Sequence, residues 1–275
     1  MLPADEPRVE SFLRSLTRAS QSLLLLDYDG TLAPFRKERD LAFPYPGVAS
    51  VLQAIIRQGR TRAVIISGRE ATEILPLLNI EPSPEVWGLH GSERLMPNGG
   101  MEIAQPDARS LEALSAAEEW LGYQQLRHLA EFKTGSIALH WRGLSECDAE
   151  NIRGRVLIGW LAIAEHAGLD LLEFEGGVEI RALQADKGDA VRTILQEAGA
   201  KTPAAYLGDD TTDERAFRAM QGHGLSVLVR PVWRKTSAQA WLKPPGELLD
   251  FLARWLEACE KRDAFGGEAA AAVNR

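Results

Sequence analysis

The sequence predicts an α/β fold: a mostly parallel sheet flanked by helices, with a smaller α+β unit inserted in it. Three patterns carry this prediction. Short apolar runs stop abruptly at polar turns, stretches of helical spacing lie between those runs, and the middle of the chain switches to a period of two.

Glu6–Ser20 places Val9, Phe12, Leu13 and Leu16 on one helical face. Ser22–Leu26 (SLLLL) is apolar at nearly every position, as a strand covered on both faces must be. Gly47–Gly59 has helical spacing at Val48, Val51, Leu52, Ile55 and Ile56, and a glycine to end it. Arg62–Ser67 reads as a second buried strand, Glu70–Leu78 as a helix and Glu85–Leu89 as a third strand. The same alternation of elements returns late in the chain. Asp186–Ala198 is a helix with Asp186 as its N-cap, Ala204–Leu207 a strand, Asp213–Met220 a helix, Leu225–Val229 a strand and Gly246–Cys259 a closing helix.

Between these halves a helix is expected at Arg109–Leu121. Ser136–Arg142 then alternates, with Ile137, Leu139 and Trp141 on one face and Ser136, His140 and Arg142 on the other. A helix over Ala149–Ala167 follows, and Leu171–Glu175 and Val178–Leu183 flank Gly176-Gly177 as a hairpin. Residues 108–183 therefore read as an inserted α+β domain, and 1–107 with 184–275 as the domain that receives it. The last twelve residues read as a disordered tail.

Composition narrows the function. Of 275 residues, 45% are apolar and 25% charged, which is ordinary for a folded protein. Lys and Arg number 31 against 39 Asp and Glu, a net charge of 31 − 39 = −8 with no basic run, so nucleic acid is not an expected partner. An anionic substrate would need positive charge supplied locally, by a metal or a few placed cations. Cys147 and Cys259 are far apart in a chain without Cys/His clusters, which argues against zinc; both are expected as free, buried thiols in a reducing cytoplasm. No apolar run reaches membrane-spanning length, and the acidic, proline-bearing N-terminus does not read as a signal peptide.

Four motifs carry chemistry, three of them at the C-terminal ends of expected parallel strands, where open α/β sheets bind ligands. Asp27-Tyr28-Asp29-Gly30-Thr31 sets two carboxylates two residues apart, a costly arrangement without a cation or proton between them. Ser67-Gly68-Arg69 offers a hydroxyl and N–H groups at a helix start. Asp186-Lys187-Gly188 places a lysine in a first helical turn. Taken alone, these last two also read as a routine strand-to-helix turn and an exposed lysine. Gly208-Asp209-Asp210-Thr211-Thr212-Asp213-Glu214 concentrates acids after a buried strand, as a hard cation requires; an acid-rich helix start accounts for Asp213 and Glu214 as well.

In this order, DxDGT, SGR, the helix-opening lysine and GDDxTDE resemble the haloacid dehalogenase superfamily of phosphatases. LDYDGTLAPF, Leu89–Glu93 (LHGSE) and GDDTTDE, with Glu131-Phe132-Lys133 and His140-Trp141-Arg142 in the insert, are most similar to its trehalose-6-phosphate phosphatase family. Three positions depart from that family's pattern: Ala182 stands for a proline, Trp141 for another aromatic residue, and Gly176-Gly177 for a Gly-Lys hairpin.

The resemblance implies a Rossmann-like core with an inserted cap that sets specificity. It implies Mg²⁺ held by Asp27, the Asp29 carbonyl and Asp209, with Asp210 and Asp213 as further acidic groups orienting the metal site and the lysine. Asp27 would be the nucleophile, forming an aspartyl phosphate, and Asp29 the acid and base. Lys187, Thr31, Ser67, Gly68 and Arg69 would serve the phosphate, and Glu131, Lys133, His140, Arg142 and Glu175 the sugar. The expected substrate is trehalose 6-phosphate, handled by a monomer. Sucrose phosphate, a glycosyl-3-phosphoglycerate, or a non-catalytic phosphosugar-binding role remain alternatives. At this length no fused glycosyltransferase domain is expected.

Overall fold

The computed structural model describes residues 6–36, 38–133, 135–174, 176–182 and 185–272. In chain order the elements are α1 (Glu6–Leu16), β1 (Ser22–Leu26), α2 (Val48–Gln58), β2 (Thr61–Ile66), α3 (Ala71–Leu78), β3 (Glu85–Gly88), β4 (Glu93–Leu95), β5 (Met101–Ile103), α4 (Ala108–Tyr123), β6 (Ala130–Lys133), β7 (Ser136–His140), α5 (Glu146–Ala167), β8 (Asp170–Phe174), β9 (Gly177–Arg181), α6 (Lys187–Ala198), β10 (Ala204–Gly208), α7 (Glu214–Ala219), β11 (Gly224–Val229), β12 (Ala240–Leu242) and α8 (Gly246–Ala272). They form two compact units, Met1–Ile103 with Ala185–Arg275, and Ala104–Gln184.

The first unit is built on one sheet in the order β12-β11-β10-β1-β2-β3-β4-β5, parallel from β12 through β3. β1 lies inside it, paired with β10 and β2. Because successive strand residues face opposite ways, its leucines serve two cores. Leu23 and Leu25 pack with Val191, Ile194 and Phe217, while Leu24 and Leu26 pack with Leu52, Ile55, Leu252 and Trp255. A fully buried leucine contributes roughly 1.5–3 kcal/mol over an exposed one. A slip of one residue would exchange the two sets, so the run fixes where β1 stops and therefore where Asp27 stands.

The second unit is a four-stranded antiparallel sheet, β6-β7-β9-β8, covered on one face by α4 and α5. Ile137, Leu139, Val178 and Ile180 point to that side and pack with Leu121, Val156 and Trp160. The hairpin expected at Gly176-Gly177 joins β8 to β9, with Phe174 opposite Gly177.

Several expectations need correction. The β4–β5 hairpin, β6 and β12 were not expected; at three or four residues each they are too short for a periodic signal. The strand expected over Ser136–Arg142 ends at His140, so Arg142 leaves it and packs over Gly176 instead. The closing helix extends to Ala272, into the expected tail, whose alanines favour helix. Cys147, expected to be buried, is exposed; only Cys259 is buried. Among the described residues, no helix is long and apolar enough to cross a membrane.

Candidate active site

Asp27 stands where β1 runs out. Its N–H still donates to Leu207 O of β10 (2.9 Å), and the chain then turns tightly, with Leu32 N and Ala33 N donating to Tyr28 O (2.9 and 3.0 Å). Tyr28 points into the core, its hydroxyl donating to Ala42 O (2.9 Å). Gly30 lies at φ +84°, and a Cβ there would collide with the Asp209 carboxylate. The close approach of this turn to the end of β10 therefore requires glycine.

Lys187 reaches Asp27 because α6 starts where it does. Asp186 caps that helix, accepting from Gly188 N (2.7 Å) and Asp189 N (3.0 Å), while Asp189 Oδ2 accepts from Asp186 N (3.0 Å). Lys187 is thus the first helical residue, and it is buried rather than exposed, with 3% of its side chain accessible. Its Nζ donates to Asp27 Oδ1 (2.5 Å) and Asp213 Oδ1 (2.7 Å). Thr31 Oγ1 donates to Asp27 Oδ2 (2.9 Å), so both oxygens of Asp27 are held and the carboxylate is oriented.

Asp213 ties the lysine to the acidic loop. Its Oδ1 also accepts from the buried Tyr206 hydroxyl (2.5 Å), and its Oδ2 accepts from Asp209 N and Asp210 N (2.9 Å each). Burial holds the Lys187 ammonium down, but the charges of Asp27 and Asp213 outweigh it and raise its pKa. Burial pushes Asp27 up to about 6, against the pull of Lys187 and with the push of Asp213.

Asp27, Asp209 and Asp213 each bring a carboxylate oxygen within 4.8 Å of the others, and all three residues are buried. The Asp209 carboxylate accepts no hydrogen bond among the described residues; burial, and then the charges of Asp27 and Asp213, push it up to about 8. A buried carboxylate without a donor, crowded by like charges, suits a cation. The all-oxygen donor set suits a hard divalent ion such as Mg²⁺. The Asp210 carboxylate, expected as a metal group, lies outside this cluster because it caps the next turn, accepting from Thr211 N (2.6 Å).

The second motif serves the first. Arg69 Nε and Nη2 grip Asp29 Oδ2 and Oδ1 at 2.6 Å each, and its Nη1 donates to Arg39 O (2.6 Å). Asp29 is therefore outside the carboxylate cluster, and Arg69, expected at the phosphate, holds an aspartate instead. Ser67 Oγ accepts from Arg69 N (3.2 Å), and Ser67 O accepts from His90 N (2.8 Å). The His90 ring fills the space that a side chain at Gly68 would need. Leu89 and His90 adopt positive φ (46° and 59°) to place it there. Burial, and then the charge of Lys187, hold His90 below its ordinary pKa.

On the open face of the second unit's sheet, Lys133 Nζ and His140 Nε2 reach the Glu131 carboxylate at 3.3 and 3.4 Å, and the His140 ring stands edge-on to Phe174 (5.4 Å). Three of the five expected sugar residues thus come together, and Arg142 sits over the hairpin. Glu175 lies outside the described residues. Sequence reasoning passed over Tyr206, His90 and Glu179. Glu179, across from Ala138 on this face, was signalled by the alternation of β9. A tyrosine within an apolar strand signals a hydroxyl needing a partner.

Comparison with known proteins fits this geometry. A curated trehalose-phosphate phosphatase of Mycobacterium avium is 28% identical over 256 residues, covering 86% of this chain and 63% of its own length. Some curated mycobacterial relatives are far longer proteins, of which the chain spans 20%. Among solved structures, Aspergillus fumigatus trehalose-6-phosphate phosphatase matches with TM-score 0.65 at 23% identity, covering 90% of this chain and 97% of that one. A haloacid dehalogenase-like hydrolase from Bacteroides thetaiotaomicron matches with TM-score 0.55 at 16% identity, covering 85% and 99%. These two likenesses are of fold. The trehalose-phosphatase family model matches residues 25–244, most of the length, and the chain therefore belongs to the trehalose-phosphatase family.

Proposed function

We propose that this chain is a Mg²⁺-dependent phosphatase that hydrolyses trehalose 6-phosphate through an aspartyl phosphate on Asp27. The observation that carries the reading is the oriented Asp27 carboxylate, held by Lys187 and Thr31 beside the donor-free carboxylate of Asp209. Asp27, Asp209 and the Asp29 carbonyl would hold the ion, which when bound neutralises charge on the phosphoryl oxygens.

In the first step an Asp27 oxygen bonds to phosphorus, the bond from phosphorus to the sugar oxygen breaks, and Asp29 gives that oxygen a proton. In the second, Asp29 takes a proton from water as the water oxygen attacks phosphorus, and Asp27 is released. To deliver its proton Asp29 must part from Arg69, which holds it at 2.6 Å in this conformation. Lys187, fixed between Asp27 and Asp213, places a positive charge beside the reacting oxygens without reorganising. Ser67 and Gly68 offer a hydroxyl and an N–H to the same group.

The second unit's open face, with Glu131, Lys133 and His140, is proposed to recognise the sugar, the carboxylate accepting from hydroxyls and the ammonium donating to them. The protein is proposed to act as a cytoplasmic monomer. The mycobacterial relative's name supports trehalose phosphate as the substrate.

The test is phosphate release from trehalose 6-phosphate, with Mg²⁺ and with EDTA, for the wild type and Asp27→Asn. Metal-dependent release by the wild type is expected, with a loss on the order of 10⁴-fold or more in the variant, the scale of losing a nucleophile. Release from an aryl phosphate but not from trehalose 6-phosphate would keep the chemistry and discard the substrate. No metal-dependent release from any ester would overturn both.

A further inference from the structure

The segment after β11 is tied to the start of α7, and Arg234 is where it is tied. Its guanidinium, 19% accessible, donates from Nη1 to Glu214 Oε1 (2.5 Å) and Lys235 O (3.0 Å). Nη2 donates to Asp210 O (2.6 Å) and Nε reaches Asp209 O (3.4 Å), which Arg230 Nη1 also approaches (3.4 Å). Glu214 is fixed in turn by Thr236 Oγ1 and Ser237 N (2.8 Å each).

The other edge of the same two residues is held separately, since Asp209 N and Asp210 N both donate to Asp213 Oδ2. The Asp209-Asp210 backbone is therefore gripped by a carboxylate on its N–H groups and by a guanidinium on its carbonyls. The Asp209 side chain itself has no donor among the described residues. Its direction is set by this backbone and by the space left at Gly30. A planar fork sends its donors in fixed, spread directions to a carboxylate and to carbonyls of separate residues, a geometry that a compact ammonium reproduces only in part.

We propose that Arg234 is a positioning residue that sets the divalent-cation affinity of the site, by holding the Asp209-Asp210 backbone so that the Asp209 carboxylate meets the ion already aimed. This rests on the metal reading above. Losing Arg234 leaves the Asp210 carbonyl without its donor and the Asp209 carbonyl with Arg230 alone, which lets Asp209 sample other directions, so the ion pays for orientation on binding. The guanidinium does not touch Asp27 or Lys187, so its loss acts on metal affinity first and on turnover through it.

Mn²⁺ serves as the probe, with free Mn²⁺ read by electron paramagnetic resonance, on the full chain as wild type, Arg234→Met, Arg234→Lys and Asp209→Asn. The wild type is expected to bind Mn²⁺ and Asp209→Asn to lose it. Arg234→Met is expected to bind roughly 10–100-fold more weakly, the scale for outer partners of metal ligands, and Arg234→Lys to recover part of that loss. In parallel, phosphate release by Arg234→Met should climb as Mg²⁺ is raised beyond the wild-type requirement. Equal Mn²⁺ affinity in wild type and Arg234→Met overturns the proposal while leaving the metal reading intact. Absence of binding by the wild type, or undiminished binding by Asp209→Asn, overturns the metal reading itself. Should circular dichroism show Arg234→Met unfolded, Glu214→Gln, which removes the charge that aims Arg234, takes its place. Weaker binding there supports the proposal and unchanged binding overturns it.

Discussion

Around Asp27 the polar groups are buried and most have their donors in place before any ligand arrives. On the open face of the second unit's sheet, Glu131, Lys133 and His140 meet at 3.3 and 3.4 Å with 40–55% of each side chain accessible. The two clusters contain the same kinds of residue. They differ in what holds them: Lys187 is fixed by a helix cap and two carboxylates, whereas Lys133 is held by one exposed pair. Desolvated charges are strong and costly to leave unpaired, while exposed pairs contribute about 0–1 kcal/mol. Reaction on phosphorus gains from groups that need not move, and a sugar can be met by groups that water still surrounds.

The largest effect should come from breaking the buried cluster. Lys187→Met removes the cation shared by Asp27 and Asp213 and leaves both carboxylates without it. A destabilisation of about 3–5 kcal/mol is expected, the scale for removing one partner of a buried pair. Denaturant unfolding in EDTA at pH 7 measures it, and Mg²⁺ should restore part of the loss. A change as small as that from an exposed lysine would mean that the site is open to water in solution, and the contrast between the clusters would fail.

The next effect is a pH dependence. Asp27 and Asp209 titrate near 6 and 8 in the folded protein, both raised chiefly by burial, against about 3.9 for an unfolded aspartate. A carboxyl raised on folding stabilises the fold below the unfolded value and loses that contribution as pH rises through the folded one. The metal-free protein should therefore lose stability from this pair between about pH 4 and 8. Mg²⁺ would bind the deprotonated form, so the increase in melting temperature that it gives should grow over that window. Melting curves in EDTA and in Mg²⁺ from pH 5 to 9 test this. An increment independent of pH would show that burial does not raise these groups.

The same contrast explains what the sequence revealed. SLLLL, RAVIIS and AAYL read as buried strands because a two-sided sheet leaves no position for a polar residue, and a strand that ends abruptly advertises what stands at its end. Asp27 and Asp209 were legible for that reason, and Lys187, which opens a helix, only through the order of the motifs. The partners that orient them were not. Tyr206 and Arg234 act across turns and between strands, contacts that leave no periodicity, and the pairing of Arg69 with Asp29 spans 40 residues. On the other sheet the alternation of β7 placed His140 correctly, but the point where the strand stops, and with it Arg142, depends on the hairpin at Gly176.

The smallest stability effect should come from the exposed face. Glu131 is 54% accessible and pairs with Lys133 and His140 at more than 3 Å. Glu131→Gln should therefore change stability by less than about 0.5 kcal/mol. If this face recognises the sugar, the same substitution should lower kcat/KM for trehalose 6-phosphate by roughly 10–100-fold, the weight of one or two charge-assisted hydrogen bonds. Hydrolysis of an aryl phosphate, which has no sugar hydroxyls to meet, should fall far less. The ratio of the two rates isolates recognition from chemistry, because on the proposed mechanism both reactions would use Asp27. An equal loss on both substrates would make Glu131 a general support of the fold rather than a sugar contact. No loss on either would move recognition to other residues and leave the exposed triad as a solvated sheet face.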